Sequence, residues 1–201
     1  GSGGGHFLRA LEIKNIKATG YEPNKSLVNL GNKKLKKNKL INFNLEQTYK
    51  KVLNDRNANV LSMIGVLEHL EKPNYMLEFF NKSRIKYLYI CVPLFSLSVF
   101  LENSFKNIFP RQLSAGHTHL YTKDSLNFLA KKNKLDIIGE WWFGADFPDL
   151  YRSLLNSSNN YNSKMYKSLI DKNLFTVINE LQNVLDRNKI CSEVHMILKK
   201  K

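Results

Sequence analysis

Gly1-Ser2-Gly3-Gly4-Gly5 and Glu22 are the first residues whose types and spacing suit chemistry. Glycine has no Cβ, so a run with glycine at 1, 3, 4 and 5 turns sharply and lies close against a ligand. The segment His6-Phe7-Leu8-Arg9-Ala10-Leu11-Glu12 reads as a helix, whose free N–H groups point back at whatever the loop holds. Glu22 stands at the tip of the next apolar run, where a carboxylate can accept hydrogen bonds from a ribose diol. Together these residues describe a nucleoside-cofactor site. A G-x-G-x-x-G fingerprint would need glycine at position 6, where His6 stands; G-x-G-x-G fits. That spacing favours a cofactor with a ribose and a charged tail over one with a pyrophosphate. An expression linker is the bland alternative for the opening glycines. A linker, however, has no reason to be phased with an apolar-periodic helix and a strand ending in Glu22.

Histidines form the second group. Glu68-His69 follow Gly65-Val66-Leu67 at the end of a strongly apolar run, which makes His69 a general base, a substrate contact or a helix-start residue with a local hydrogen bond. In Gly116-His117-Thr118-His119-Leu120-Tyr121 the two imidazoles at i and i+2 are expected on one side of an extended segment. Neutral histidine near pH 7 suits proton removal. That motif offers a metal at best two ligands and no carboxylate, so no metal is expected. The third group is Trp141-Trp142-Phe143-Gly144-Ala145-Asp146, followed by Asp149 and Arg152. One reading packs the aromatics at a strand end, with Asp149 as N-cap and Arg152 as its surface partner. The other makes an aromatic wall with polar hooks for a substrate ring such as a sugar. Trp141 is expected in the core, and Trp142, Asp146 and His117 are candidate substrate contacts.

The elements that must position these residues alternate. Residues 5–14 read as a helix and 16–22 as a strand; Asn24 is an N-cap, and the helix over 25–30 is expected to stop at Gly31. Strand 40–44 and a helix or long turn over 46–53 follow. Residues 59–64 are almost continuously apolar, the pattern of a buried central strand in a parallel sheet. Pro73 starts a helix through 80, and 86–92 is a strand ended by Pro93. Thr122 caps a helix over 123–132, and 135–142 is a strand. Residues 149–186 are mostly helical with a polar break over 156–163, and 190–198 closes the chain as a strand. Repeated βα units imply an α/β domain with a mostly parallel sheet and right-handed crossovers. The last strand follows a long helical excursion and is expected to enter antiparallel. No internal repeat is evident.

At 201 residues, the length fits one α/β domain with a core of its own. The formal charge of +14, from 31 Lys and Arg against 17 Asp and Glu, raises nucleic acid, anionic membranes and phosphorylated substrates as partners. The lysines are scattered among asparagines, so the run over 33–39 reads as solvated surface and nucleic acid is not the favoured partner. Cys91 and Cys191 lie in apolar runs and are expected to be buried free thiols, in keeping with a reducing, cytoplasmic compartment. The most apolar window, 87–101, is too short for a bilayer span and contains Pro93.

Three separated signatures now agree: the opening glycines, Gly20-Tyr21-Glu22-Pro23-Asn24, and Gly65-Val66-Leu67-Glu68-His69-Leu70. In this order the chain resembles a class I S-adenosylmethionine-dependent methyltransferase of the small-molecule subgroup that includes ubiquinone-biosynthesis enzymes. The similarity runs from Gly1 to about Trp142 and resumes at the last strand. It implies a Rossmann-like sheet flanked by helices, with the cofactor S-adenosyl-L-methionine across the carboxyl ends of the strands. It assigns the methionine and ribose portion to Gly1, Gly3 and Gly5, the ribose hydroxyls to Glu22, the adenine to Asn44 and Leu45, and the sulfonium border to Ile64 and Gly65. His119 and His69 become the catalytic candidates, with His119 preferred as the base; in some relatives the pair corresponding to Glu68-His69 helps hold a metal. Two departures stand out. The loop normally follows a first strand, which is missing here, and Asn44 stands where many relatives carry Asp. Residues 94–120 and 149–189 are expected to form the lid around a small-molecule or glycan-precursor acceptor, with oxygen as the acceptor atom. An RNA methyltransferase and a non-catalytic cofactor-binding module are the alternatives.

Overall fold

The computed structural model describes residues 1–105, 110–113, 116–157 and 163–201. The chain runs α1(His6–Ile13), β1(Thr19–Glu22), α2(Lys25–Asn32), β2(Lys39–Asn42), α3(Leu45–Asn54), β3(Val60–Ile64), a 3-10 turn (Leu67–His69), α4(Pro73–Lys82), β4(Tyr87–Pro93) and α5(Leu97–Ser104). It continues through α6(Lys123–Lys132), β5(Leu135–Phe143), α7(Asp146–Ser157), α8(Ser163–Ile170), a π turn (Asp171–Phe175), α9(Ile178–Asn188) and β6(Glu193–Lys200). The expected helix starts are capped as their sequences require. Asn24 Oδ1 accepts the N–H groups of Ser26 and Leu27, and Thr122 and Ser125 form a reciprocal capping box.

The strands form two sheets, β1–β2 and β3–β4–β6–β5. Pairing is parallel in β1/β2 and β3/β4, whereas β6 runs antiparallel to both β4 and β5. Thus β3, β4 and β5 share a direction, and the last strand enters reversed, as its position after the helical excursion implied. β1 and β3 do not pair with each other, so the two sheets are separate ladders. This corrects the expectation for β3. It is parallel to β4, but its other side has no ladder partner among the described residues, and Val60 is 53% exposed.

Alternation along β4 and β6 separates two faces. Leu88, Ile90 and Val92, with Val194, Met196 and Leu198, pack against Met76, Leu77 and Phe80 of α4 and Leu126 and Leu129 of α6 in the main core. Full burial of one such side chain contributes roughly 1.5–3 kcal/mol. A smaller core of Leu8, Val28 and Leu40 sits at the β1–β2 sheet. Gly31 belongs to this second core and does not stop α2, which continues to Asn32. A Cβ there would stand 2.3 Å from Leu40 Cδ1 and 2.7 Å from the Gly4 carbonyl oxygen. The glycine therefore permits the helix to lie against the opening loop. Glu12 ties α1 to the chain before β2, accepting N–H groups from Lys37, Asn38 and Lys36. Those bonds, led by Lys37, hold its carboxyl down to about 2.

Cys91 and Cys191 are buried free thiols, and burial pushes both up to about 12. The thiolate is the reactive form. Native protein at pH 8 is therefore expected to react only slowly with a disulfide reagent, releasing two equivalents of chromophore once unfolded. Rapid native labelling would contradict this burial. Among the described residues no helix is long and apolar enough to cross a membrane.

Candidate active site

The opening turn and the tip of β1 converge. Gly3 donates its N–H to Glu22 Oε2 at 2.8 Å, and Asn24 donates to Glu22 Oε1 at 3.0 Å. The Ser2 N–H reaches the Tyr21 carbonyl at 3.1 Å. Glu22 is buried, yet each carboxylate oxygen keeps a second lone pair beyond these bonds. The ends of β1 and β3 also approach here, since a Cβ on Gly1 would stand 2.9 Å from Val66 Cγ2.

Space opens in front of two of the glycines. Among the described residues, Gly3 has φ +51° with nothing within 4 Å of a Cβ position, and Gly65 has φ +63° with only Glu68 Oε1, at 3.8 Å. Both backbones are left-handed, a region glycine enters without steric cost. Two uncovered backbone segments with a carboxylate between strand tips fit a ribose and its substituents. Gly5 differs. Its φ of +78° starts α1, and a Cβ would press on Leu40 at 3.0 Å, so its observed contacts are with the small core. Asn44 Oδ1 accepts the Gln47 N–H at 2.8 Å and caps α3, while Leu45 is exposed at the first helical position. Asn42, not singled out from the sequence, donates to the Glu22 and Pro23 carbonyls and fixes the turn beside the carboxylate. The ring of Phe43 stacks on Tyr21 at 5.2 Å across the same two strand tips.

A second cluster lies beyond β3. The Gly65 N–H bonds the Cys91 carbonyl, and the 3-10 turn then carries Glu68 inward and His69 outward. The N–H groups of Thr118 and His119 donate to the Glu68 carbonyl at 2.8 and 3.2 Å, so the Gly-His-Thr-His segment wraps this turn. Contrary to the expectation from i, i+2 spacing, the two imidazoles take different partners. His117 meets His69, with ring centroids 4.8 Å apart, whereas His119 stacks on Tyr121 at 6.2 Å. The wrap around Glu68 turns the segment, and alternation does not survive a turn. His119 and Tyr121 line a cavity of about 530 Å³ with Tyr75, Phe128, Lys72 and Lys132. Burial raises the Glu68 carboxyl above its ordinary value, and Glu68 Oε2 has no hydrogen-bond partner among the described residues.

Thr118, which sequence reading passed over, joins the Glu68 turn to His119. Its Oγ1 donates to the Glu68 carbonyl at 2.8 Å and contacts His119 Nδ1 at 2.8 Å. A hydroxyl whose proton goes to a carbonyl accepts from Nδ1–H and leaves the Nε2 lone pair free, whereas one that donates to Nδ1 presents Nε2–H.

The aromatic group behaves otherwise than expected. Trp141 is 62% exposed, on the sheet face with Phe143 and His195, while Trp142 is buried in the main core beneath Lys189. A bulge between Ile137 and Gly139 shifts the register and inverts the two rings relative to a regular strand. Asp146 is wholly buried and accepts from Ser96 Oγ at 2.5 Å, Ser98 N at 3.0 Å and Ser98 Oγ at 3.1 Å. These contacts make it a structural anchor between α5 and α7. Asp149 lies within the first turn of α7, pairing with Arg111 at 3.0 Å and Arg152 at 3.2 Å.

Comparison with known proteins settles the class. A family model described as a methyltransferase domain matches residues 1–139. The chain belongs to that family. Among solved structures, a SAM-dependent methyltransferase from Archaeoglobus fulgidus is 16% identical, with a TM-score of 0.60 over 100% of this chain and 83% of that one. Magnesium protoporphyrin IX methyltransferase from Synechocystis PCC 6803, with bound SAH, is 8% identical at a TM-score of 0.61, over 100% of this chain and 72% of that one. A [4+2]-cyclase shares the fold at 12% identity and a TM-score of 0.59, over 100% of this chain and 73% of that one. No curated protein matches this chain. The domain is a methyltransferase, and the cofactor that accompanies this membership is S-adenosyl-L-methionine.

Proposed function

We propose that this methyltransferase modifies an oxygen of a small-molecule or glycan-precursor acceptor, with His119 as the base. The observation that carries the reading is the His119 ring on the wall of the 530 Å³ cavity, with Nδ1 2.8 Å from the Thr118 hydroxyl. S-adenosylmethionine supplies an electrophilic methyl group on a positive sulfur. The chain's own residues align the partners and manage the proton. Gly1, Gly3 and Glu22 hold the ribose end, Asn44 and Leu45 border the adenine, and Ile64 and Gly65 border the sulfur. An acceptor hydroxyl gives its proton to His119 Nε2 as the oxygen–carbon bond forms and the carbon–sulfur bond breaks, leaving an ether and S-adenosylhomocysteine. His69, exposed at the mouth, contacts the acceptor. Residues 94–120 and 149–189 form the lid, in part on residues outside those described. Small-molecule acceptors of the ubiquinone-biosynthesis type and a cytoplasmic location belong to the same reading.

The cofactor half is tested by calorimetry with S-adenosylhomocysteine. In Glu22→Ala two ribose hydrogen bonds to a charged group are lost, and affinity is expected to fall about 10–100-fold. Unchanged affinity would remove Glu22 from the site. The net charge of +14 favours RNA as the second acceptor class, which requires acceptor binding that falls steeply with added salt.

A further inference from the structure

The turn between α1 and β1 meets the lysine run before β2 at the end of β1 opposite Glu22. We propose that this surface docks the protein peripherally on an anionic lipid bilayer. Glu12, buried near the end of α1, accepts the N–H groups of Lys36, Lys37 and Asn38. Asn38 is also buried. Its side chain donates to the Leu8 and Ile16 carbonyls and accepts the Ala18 N–H at 2.9 Å. The Ile16 N–H closes on the Leu11 carbonyl at 2.9 Å, and Lys37 Nζ stands 3.4 Å from Asn15 Oδ1. The five lysines of residues 33–39 are thereby held beside Lys14 and Lys17, and every one of these side chains is exposed. From residue 13 to residue 39 the one acidic side chain is Glu22, buried at the far tip of β1. Clustered ammonium groups repel one another, and a negative surface facing them relieves that repulsion.

Two isoleucines decide between kinds of polyanion. Ile13 is 65% exposed and Ile16 51%, interleaved with Lys14 and Lys17 on one turn. Aliphatic side chains among lysines match a bilayer interface, where the apolar part enters and the ammonium groups stay with the headgroups. Residues 13–18 and 33–39 contain no aromatic ring and no arginine, the groups that stack on bases or grip phosphate bidentately. A nucleic acid is the poorer match. The parallel register sets Lys39 beside Thr19 and Asn42 beside Glu22, so the lysines lie at the strand starts and the cofactor turn at the strand ends. Docking therefore leaves the opening turn uncovered. The inference stands without the proposed function.

The test is flotation of the intact chain with vesicles of phosphatidylcholine containing about one-third phosphatidylglycerol, beside vesicles of phosphatidylcholine alone. Binding is expected to the anionic vesicles only, and to weaken steeply with salt. Each lysine near an anionic surface strengthens binding about fivefold, so Lys14→Gln/Lys17→Gln and Lys36→Gln/Lys37→Gln should each weaken it about 10–30-fold. All four side chains are exposed, and glutamine keeps the backbone N–H groups that bond Glu12. Lys25→Gln/Lys123→Gln removes the same charge at the starts of α2 and α6 and should change binding less than about threefold. Because Cys91 and Cys191 are buried, a bimane dye on Ile16→Cys labels the turn alone, and its emission should shift to the blue on anionic vesicles. Equal loss in the Lys25/Lys123 pair, an unshifted dye, or tighter binding to an RNA duplex at the same salt would overturn the proposal. Calorimetry with S-adenosylhomocysteine on the same samples reports the methyltransferase site separately.

Discussion

His119→Ala is expected to lower turnover about 10²–10⁴-fold, the range for removing a positioned general base, while leaving affinity for S-adenosylhomocysteine unchanged. The split follows from the geometry. His119 stacks on Tyr121 and lines the cavity, whereas Gly3 and Glu22 hold each other at the opening turn. Single-turnover methyl transfer, measured beside cofactor binding, checks both halves. Thr118→Val offers a sharper version. It removes the hydroxyl in contact with His119 Nδ1 and keeps the ring, so it should reproduce part of the loss in turnover. Wild-type turnover in His119→Ala would move the base elsewhere in the site.

Asp146→Ala is the variant expected to cost most in stability, about 3–5 kcal/mol. The carboxylate is wholly buried and anchors Ser96 and Ser98 of the α5 start, and its loss leaves the Ser98 N–H and the Ser96 hydroxyl unsatisfied inside the protein, while the Ser98 hydroxyl keeps Asp149 Oδ2 at 2.8 Å. Gln182 of α9 approaches the same group, with Nε2 at 3.4 Å from Oδ2. In a chain of this size each kcal/mol shifts the midpoint by roughly 2–4 °C, so thermal unfolding should move down by about 10 °C. A midpoint unaltered by the substitution would show that the serines find other partners. The same measurement distinguishes an anchor from a substrate hook, which would change acceptor affinity with little effect on unfolding.

The meeting of the opening turn with Glu22 was legible because its signals are local. A glycine-rich turn runs into a helix, and a strand ends four residues into a short parallel ladder at Glu22. The Gly3 to Glu22 hydrogen bond joins two features whose order along the chain already implied convergence. Gly31 misled because glycine has two uses. Helix termination depends on the residue itself, whereas close approach of Leu40 and the Gly4 carbonyl depends on other elements.

The tryptophan pair and the histidine pair failed for a related reason. Alternation assigns faces only while a strand stays regular. The bulge in β5 exchanged the roles of Trp141 and Trp142, and the turn around Glu68 sent His117 and His119 to different neighbours.

By itself, the sequence determined the α/β class, the reversed last strand, the buried thiols and the glycine–carboxylate pairing, because turn chemistry and apolar runs act within a few residues. Only the tertiary structure decided which imidazole meets which, that Asp146 is an anchor, and that Glu68 lies buried beside His69 and His117. Those outcomes depend on contacts between segments about 50 residues apart, where desolvation and carbonyl geometry set the partners and local spacing carries no information about either.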